Sequence, residues 1–250
     1  MTIIPTKVQA RLTSGLKKFQ TVVSSARTKD INESDTVVII TDILSELFGY
    51  DKYSEITSEQ AVKKTFCDLA IKIDGKVRFI IEIKAAGLDL KEDHIRQAVD
   101  YGSNAGVDWI ILTNGSSWKI FKIIFSKPVS HEIVYEFDFT QLSIKKESDL
   151  ELLYYVCKES LGKSVLEDYH IQKQTFSKFF VGQLLISEPV SDSIRKLMKK
   201  LYPEVKVTNK EISNLIENEV LKREVIEGEK AEEAKKKVIK AFKSLLKENI

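Results

Sequence analysis

Asp68, Glu82 and Lys84 are the residues of this chain whose types and spacing could do chemistry. Glu82 and Lys84 interrupt the apolar run IIEIKAAG (80–87), although buried charges are costly unless they are paired or bind a metal. Two neighbouring carboxylates could hold a hard cation such as Mg²⁺, and a lysine beside them could position water or stabilise a phosphate. The alternative is an ordinary mixture of charges on a solvent-exposed sheet face.

These residues lie on two runs that predict a β-hairpin. TFCDLAIKI (65–73) and KVRFIIEIKA (76–85) flank Asp74-Gly75, and Asp-Gly between alternating runs is a strong hairpin signal. Odd-numbered positions are apolar in both runs and are expected to face the core, which leaves the three charged residues together on the other face. A two-residue loop without a bulge would pair odd with even positions and turn the apolar side chains of one strand away from the core. We therefore expect a three-residue loop or a bulge, with Gly75 in the left-handed conformation. The two carboxylates would then lie opposite each other or one diagonal step apart.

The rest of the chain predicts further helices and strands around this hairpin. Two helices precede it, one after Pro5 and one that begins within NESD (32–35) and ends at Gly49. A helix over 91–104 and three strands, DWIILTNG, SWKIFKIIF and EIVYEFDF, follow it. Beyond residue 147 the pattern is helical, with helices around 164–186, 191–201 and 208–250.

We therefore predict an α/β fold with a mixed sheet flanked by helices over residues 1–147, including a basic N-terminal helix, and a helical region over 148–250. The last helix is amphipathic, so it either packs on the body of the protein or mediates self-association.

Charge and cysteine content limit the functional classes. The net charge is only +2, but the first helix is basic and could touch phosphates through Lys7, Arg11, Lys17 and Lys18. A solvated helix face is the alternative. The two cysteines show no metal-ligand spacing and are expected to be buried thiols. We find no secretory signal and no membrane-spanning run, and we expect a soluble cytoplasmic protein.

Residues 30–140 resemble the PD-(D/E)XK nuclease superfamily, and more closely the N-terminal nuclease domain of type I restriction enzyme R subunits and their stand-alone relatives. The resemblance rests on five pieces in order: NESDTVVIITDILSELFGYD, FCDLAI, IIEIKA, HIRQAVDYG and DWIILTNGSSWKIF. The proline of the family name is replaced by Cys67. No Walker A sequence occurs in the chain, so it lacks the motor of those enzymes.

The resemblance implies a restriction-endonuclease-like fold and Mg²⁺-dependent hydrolysis of phosphodiester bonds, with Mn²⁺ as a substitute. Asp68, Glu82 and Glu33 would bind metal, Lys84 would position water, and Gln97 would assist. Tyr101 completes the Q-x-x-x-Y element and could contact the nucleic acid, and His94 on the same helix could help to orient Lys84 or the scissile phosphate. Lys72, Lys76 and Arg78 could hold the nucleic-acid backbone together with the basic helix. The alternatives are a helix N-terminal acid for Glu33, core packing for Tyr101 and a solvated side chain for His94.

Three functions stay open from the sequence. The first is an active DNA endonuclease of restriction or defence type, whose double-strand cutting would favour a homodimer. The second is a binding module that uses the same groove without cutting. The third is a subunit that docks a motor or modification partner through residues 208–250.

Overall fold

The structure, a computed structural model, describes residues 2–62 and 65–248. The chain divides into two compact units, Met1–Leu166 and Glu167–Ile250. The first unit thus includes two short helices that follow residue 147, α4 (Glu147–Tyr154) and α5 (Lys158–Leu161). None of the helices within the described ranges is long and apolar enough to cross a membrane.

A six-stranded mixed sheet forms the centre of the first unit, which confirms the predicted α/β class. The strands follow one another in chain order and are β1 (Ile56–Val62), β2 (Thr65–Ile73), β3 (Lys76–Ile83), β4 (Trp109–Thr113), β5 (Ser117–Ile124) and β6 (Ser130–Asp138). Strands β3 and β4 are parallel, and all other neighbours are antiparallel. Strand β1 was not predicted.

Helix α3 (Arg96–Ala105) makes the crossover that a parallel pair requires. A 3₁₀ turn over Glu92–Ile95 precedes it, and Gly106 ends it in the left-handed conformation, with φ of 68°. The helix covers one sheet face through a buried apolar cluster that includes Ala70, Ile80, Ala98, Tyr101 and Ile110.

The β2–β3 hairpin has a two-residue loop and a bulge. Asp74 and Gly75 form the loop, both with positive φ, so Ile73 pairs with Lys76. The register then shifts between Ile71 and Lys72, and beyond the shift the paired numbers sum to an even value, as in Leu69 with Ile81. The expected bulge and the left-handed Gly75 are therefore confirmed, while the three-residue loop offered as the other option is absent.

The assignment of a single core face to the hairpin was wrong. Residues 79–83 of β3 are buried at odd and even positions alike, because α3 covers the even face and α2 also packs against β3. The face that carries Glu82 is therefore an interior face near its end, not an open polar surface.

Two helices position the start of the chain against the sheet. Helix α1 (Thr6–Thr28) follows Pro5, as predicted, and buries an apolar stripe of Val8, Leu12, Leu16, Phe19 and Val23. Helix α2 (Glu33–Asp42) begins at the N-cap Asn32, whose side chain accepts a hydrogen bond from the Asp35 amide. It continues as a π-helical turn over Ile43–Leu47 and ends at Gly49, as predicted.

The second unit is helical, but two of the three predicted helices are divided into shorter ones, while the helix predicted over 191–201 begins earlier, at Glu188. They are α6 (Val165–Thr175, which begins at the end of the first unit), α7 (Lys178–Leu185), α8 (Glu188–Leu201), α9 (Asn209–Leu215), α10 (Arg223–Ile226) and α11 (Glu229–Glu248), with a π-helical turn at Ile216–Val220. Ser177 starts a new helix by capping the Phe180 amide, and Gly228 has a positive φ before α11. The expected 164–186 and 208–250 helices are thus interrupted, and residues 249–250 lie outside the described part.

Candidate functional site

The charged residues of the hairpin converge at the carboxyl end of β3. Lys84 Nζ lies 2.6 Å from Glu82 Oε1 and 3.5 Å from Glu33 Oε2. Asp68, on β2, accepts a hydrogen bond from the Ile83 amide at 2.6 Å, and continuing the β2–β3 register places it opposite Glu82. Three carboxylates and one ammonium therefore share one end of the sheet.

Glu82 is the most buried member of this group, with only 3 % of its surface exposed. Its Oε1 accepts from Lys84, whereas its Oε2 is buried with no hydrogen-bond partner in the described residues. Burial raises the pKa of Glu82 to about 7, against the opposing effect of the Lys84 hydrogen bond, and the nearby Asp68 charge adds to the rise. A buried carboxylate oxygen without a donor is costly, so this atom is suited to a cation.

Asp68 is half-buried and is held by the backbone of the neighbouring strand. Burial raises its pKa above the ordinary value, although the Ile83 amide and the Lys84 charge act in the opposite direction. The backbone hydrogen bond fixes the orientation of the carboxylate before anything binds to it.

Lys84 has both its backbone and its ammonium group fixed. Its amide donates to the Thr113 carbonyl at 2.9 Å, which extends the β3–β4 pairing by one residue. Burial acts to lower the pKa of Lys84, but the hydrogen bond to Glu82 and the surrounding carboxylates outweigh it and raise the pKa. The side chain is therefore a positioned cation at neutral pH.

Glu33 reaches this group from the first turn of α2. The connection before α2 is held to the segment after β3 by a hydrogen bond from the Ala86 amide to the Ile31 carbonyl, at 3.3 Å. The Glu33 side chain is 48 % exposed and touches the site through Lys84. Its position fits a partner of the lysine better than a member of a tight carboxylate cluster.

A divalent metal can be tested against these side chains. Among the described residues, no group of three or more His, Cys, Asp or Glu side chains is placed to hold a metal ion. The site instead offers two adjacent carboxylates, one with a buried oxygen that lacks a donor. This set fits Mg²⁺, which keeps several waters and commonly takes only one or two protein carboxylates.

The predicted helix residues separate into different environments on α3. This helix connects the end of β3 to the start of the parallel strand β4, so it runs antiparallel to β3 and its first turn lies toward the site end. Its Gly102 packs against Ile80. Gln97 is exposed on that first turn, whereas Tyr101 is fully buried. Burial, with a smaller contribution from the adjacent Cys67 thiol, raises the pKa of Tyr101 to about 12. The burial favours the core alternative for Tyr101 over nucleic-acid contact.

The basic residues predicted on α1 lie away from the site. A rise of about 1.5 Å per residue places Lys7 on the order of 30 Å, and Lys17 on the order of 15 Å, from the helix end beside Ile31. Lys18 is ion-paired with Glu46. Arg11 donates to the Leu47 and Phe48 carbonyls and to Glu159, so it acts inside the protein.

The basic residues of the hairpin lie near its loop, at the opposite end from Glu82. A rise of about 3.3 Å per residue puts Arg78 about 13 Å and Lys76 about 20 Å along β3 from Glu82. Both are exposed, and Lys72 on the paired strand is half-buried. They can contact only a substrate that extends along the strands.

Two features of the site were not predicted from the sequence. Arg27 and Lys29 are exposed at the end of α1 beside the site, yet they looked the same as the other basic residues of that helix. Asn114 is 5 % exposed, and its Nδ2 donates to the Leu88 carbonyl at 2.8 Å, tying the β4–β5 turn to the segment after β3. In the sequence, Asn114-Gly115 is an ordinary turn signal, and this contact could not be predicted from it.

Comparison with known protein families agrees with the resemblance seen in the sequence. Residues 39–137 match the family model described as type I restriction enzyme R protein N terminus (HSDR_N). The matched segment contains Asp68, Glu82, Lys84 and Gln97 but begins after Glu33. No curated protein and no solved structure matches the chain significantly. The predicted resemblance is confirmed over this segment, and it suggests a nuclease-like function in restriction or defence.

Proposed function

We propose that the first unit is a divalent-metal-dependent endonuclease that hydrolyses phosphodiester bonds in DNA. The observation that carries the proposal is the convergence of Asp68, Glu82 and Lys84 at the end of β3, with one Glu82 oxygen buried and lacking a donor. The match of the surrounding segment to restriction-enzyme N termini supports the same chemistry.

Asp68 and Glu82 would hold Mg²⁺, for which Mn²⁺ can substitute. When bound, such an ion polarises a phosphate oxygen and makes a coordinated water more acidic. The protein supplies a fixed pair of carboxylates, one oriented by the Ile83 amide and the other by Lys84.

Lys84 would act as a positioned cation rather than as a base. Its ammonium group is held by Glu82 and Glu33, and their charge keeps it protonated. Three N–H donors on a fixed ammonium can orient a water and stabilise negative charge that develops on the phosphate. Glu33 would be a positioning residue, because its contact with the site is the ion pair with Lys84.

The DNA backbone would be held beside the site by the exposed basic residues nearest to it, Arg27 and Lys29, and farther away by Arg78 and Lys76. Such contacts to phosphates position a duplex but carry no sequence information. The first unit alone would therefore cut with weak sequence preference.

A nucleic-acid-binding module without hydrolysis is the second candidate. The observation in its favour is that Lys84 already neutralises one Glu82 oxygen, and the described residues contain no three-carboxylate metal group. A site of this kind would bind the backbone of DNA with a steep salt dependence and release no product.

Incubation of supercoiled plasmid with the purified protein in Mg²⁺, Mn²⁺ or EDTA tests the proposal. We expect nicked or linear DNA with either metal, none in EDTA, and at least about a hundredfold slower cleavage by Lys84→Ala, from the loss of a charge-stabilising donor. Lys145→Ala, a change at an exposed lysine, is the matched control. Folded protein that binds DNA but cuts in no metal would support the binding module instead.

A further inference from the structure

The second unit contains a cavity that the proposed nuclease chemistry does not use. Its volume is about 730 Å³, and it lies between helices α7, α8 and α11. Ile186, Val238, Ile239 and Phe242 make much of its wall apolar. Cavities that bind small molecules usually have about 300–1,000 Å³ and a mainly apolar lining with few polar groups.

One polar side chain in this cavity stands out. Gln183, on α7, lines the cavity, is only 7 % exposed, and its amide makes no hydrogen bond with any residue in the described ranges. The amide atoms are not among the fully buried side-chain atoms that lack a partner, so the amide is accessible from the cavity that Gln183 lines. A ligand in the cavity can therefore exchange hydrogen bonds with this amide.

The surrounding helices hold Gln183 in place. The preceding residue, Gly182, lets α10 approach so closely that an added Cβ would stand 2.6 Å from Val225 Cγ1. An ion pair of 2.9 Å between Lys178 and Glu224 fixes α7 to α10 a second time. The amide is therefore presented by a closely packed helix pair, and little ordering would be required when a ligand binds.

The charges around the cavity do not select an ion. Asp192, which lines it, is already paired with Arg195 and Lys196, each at 2.7 Å, so its carboxylate is not free to bind a cation. Exposed Lys235 and Glu188 at the lining are opposite in sign. A neutral ligand suits this balance better than an anion or a cation.

We propose that this cavity binds a neutral small molecule with an apolar body and one group complementary to an amide, such as a carboxamide. The apolar body would contact Ile186, Val238 and Phe242, and the polar group would exchange hydrogen bonds with Gln183. The proposal is independent of the nuclease activity and concerns the second unit alone.

Nile red, a neutral apolar dye, tests whether the cavity takes a small molecule. We expect the full-length protein to bind the dye with a blue shift in its emission, and Ile239→Trp, which adds bulk to the cavity wall, to weaken binding at least about tenfold. Lys236→Trp places the same side chain at an exposed position outside the lining and should leave binding unchanged. Absence of dye binding, or equal binding by both variants, would overturn the proposal.

A pair of competitors tests the role of Gln183. Benzanilide and trans-stilbene are similar in shape, but only benzanilide carries an amide. Benzanilide should displace Nile red about five- to tenfold more effectively, the gain of roughly one hydrogen bond, and Gln183→Leu should abolish this difference while the dye still binds. A preference that persists in Gln183→Leu contradicts the assignment. So does a dimer in sedimentation that Ile239→Trp dissociates, because the cavity would then be a protein interface.

Discussion

Glu82 combines two properties that are rarely found together in a side chain without a function. It is almost completely buried, and only one of its two oxygens has a hydrogen-bond partner in the described residues. Lys84 supplies one positive charge, while Asp68 adds a second carboxylate, so the pair of carboxylates is undercompensated without another cation. This imbalance is the physical reason to place a metal here rather than a structural ion pair.

The role of Glu33 can be separated from that of Glu82. We expect Glu33→Gln to slow cleavage by about tenfold, because Lys84 loses one of its two carboxylate partners, and to change Mn²⁺ affinity by less than about twofold. Cleavage rates and Mn²⁺ titrations on the same variant check this. A large loss of Mn²⁺ affinity would make Glu33 a metal ligand, as the sequence resemblance first implied.

Tyr101 gives a test of core packing against nucleic-acid contact. Tyr101→Phe should leave the free energy of unfolding unchanged or raise it slightly, because the buried hydroxyl has no hydrogen-bond partner among the residues that the structure describes. Tyr101→Ala should cost about 3–5 kcal/mol, from the cavity it leaves. Urea unfolding measures both. Weaker DNA binding by a normally stable Tyr101→Phe would instead show that the hydroxyl reaches a substrate.

At the scale of elements, the helices and strands with a clear sequence pattern could be predicted, and those with a weak pattern could not. Strands β2 to β6 and helices α1 to α3 follow from clear periodicity and capping. Strand β1 was missed because ITSEQAV has polar residues at its centre and no alternation. The alternation of side chains along the two strands was enough to predict that Asp68 lies beside Glu82. Burial of the same face under α3 could not be predicted in this way, because it depends on packing between the helix and the sheet.

Arg11 joins three elements of the first unit, so we expect its ion pair with Glu159 to make a measurable contribution to the free energy of unfolding. Both Arg11–Glu159 contacts are 2.7 Å, and the same guanidinium caps the Leu47 and Phe48 carbonyls at the end of the α2 region. Burial alone would raise the pKa of Glu159, but the Arg11 hydrogen bond outweighs it, and the pKa is lowered. The pair therefore stabilises the fold above the ordinary pKa of a glutamate, and this contribution is lost as the pH falls through the lowered value.

We expect Glu159→Gln to reduce the free energy of unfolding by about 1 kcal/mol at pH 7, since the pair is partly exposed. The difference from wild type should shrink as the pH is taken below about 4.5. Urea unfolding of both proteins between pH 3 and pH 7 checks the sign. A difference that grows in acid would mean that the Arg11 pair does not lower this pKa.

At the scale of the whole molecule, the small net charge of +2 hides an uneven distribution around the site. Arg27 and Lys29 lie at the end of α1 that adjoins Glu33 and Lys84, whereas Lys7 and Lys17 lie farther along the same helix. We therefore expect the basic residues at the site end of α1 to contact a DNA substrate, and those farther along the helix not to.

Replacing Arg27 and Lys29 together by alanine should weaken DNA binding. It should also make the fall of log affinity with log salt concentration less steep by about 1–2 units, roughly one unit for each phosphate that is no longer neutralised. The matched double variant Lys7→Ala with Lys17→Ala should change neither quantity appreciably. Fluorescence anisotropy over a salt series measures both. The reverse order of effects would place the bound DNA along the other half of α1.

The most direct test of the central claim is Mn²⁺ binding, because it does not depend on a correct substrate or on a partner protein. Calorimetric titration of the full chain should show one Mn²⁺ site per chain, and Glu82→Gln and Asp68→Asn should each weaken it at least about tenfold while the protein stays folded. If the wild type takes up no Mn²⁺, or if both variants bind it as tightly as the wild type, then these carboxylates do not form a metal centre and the proposed hydrolysis is excluded at this site.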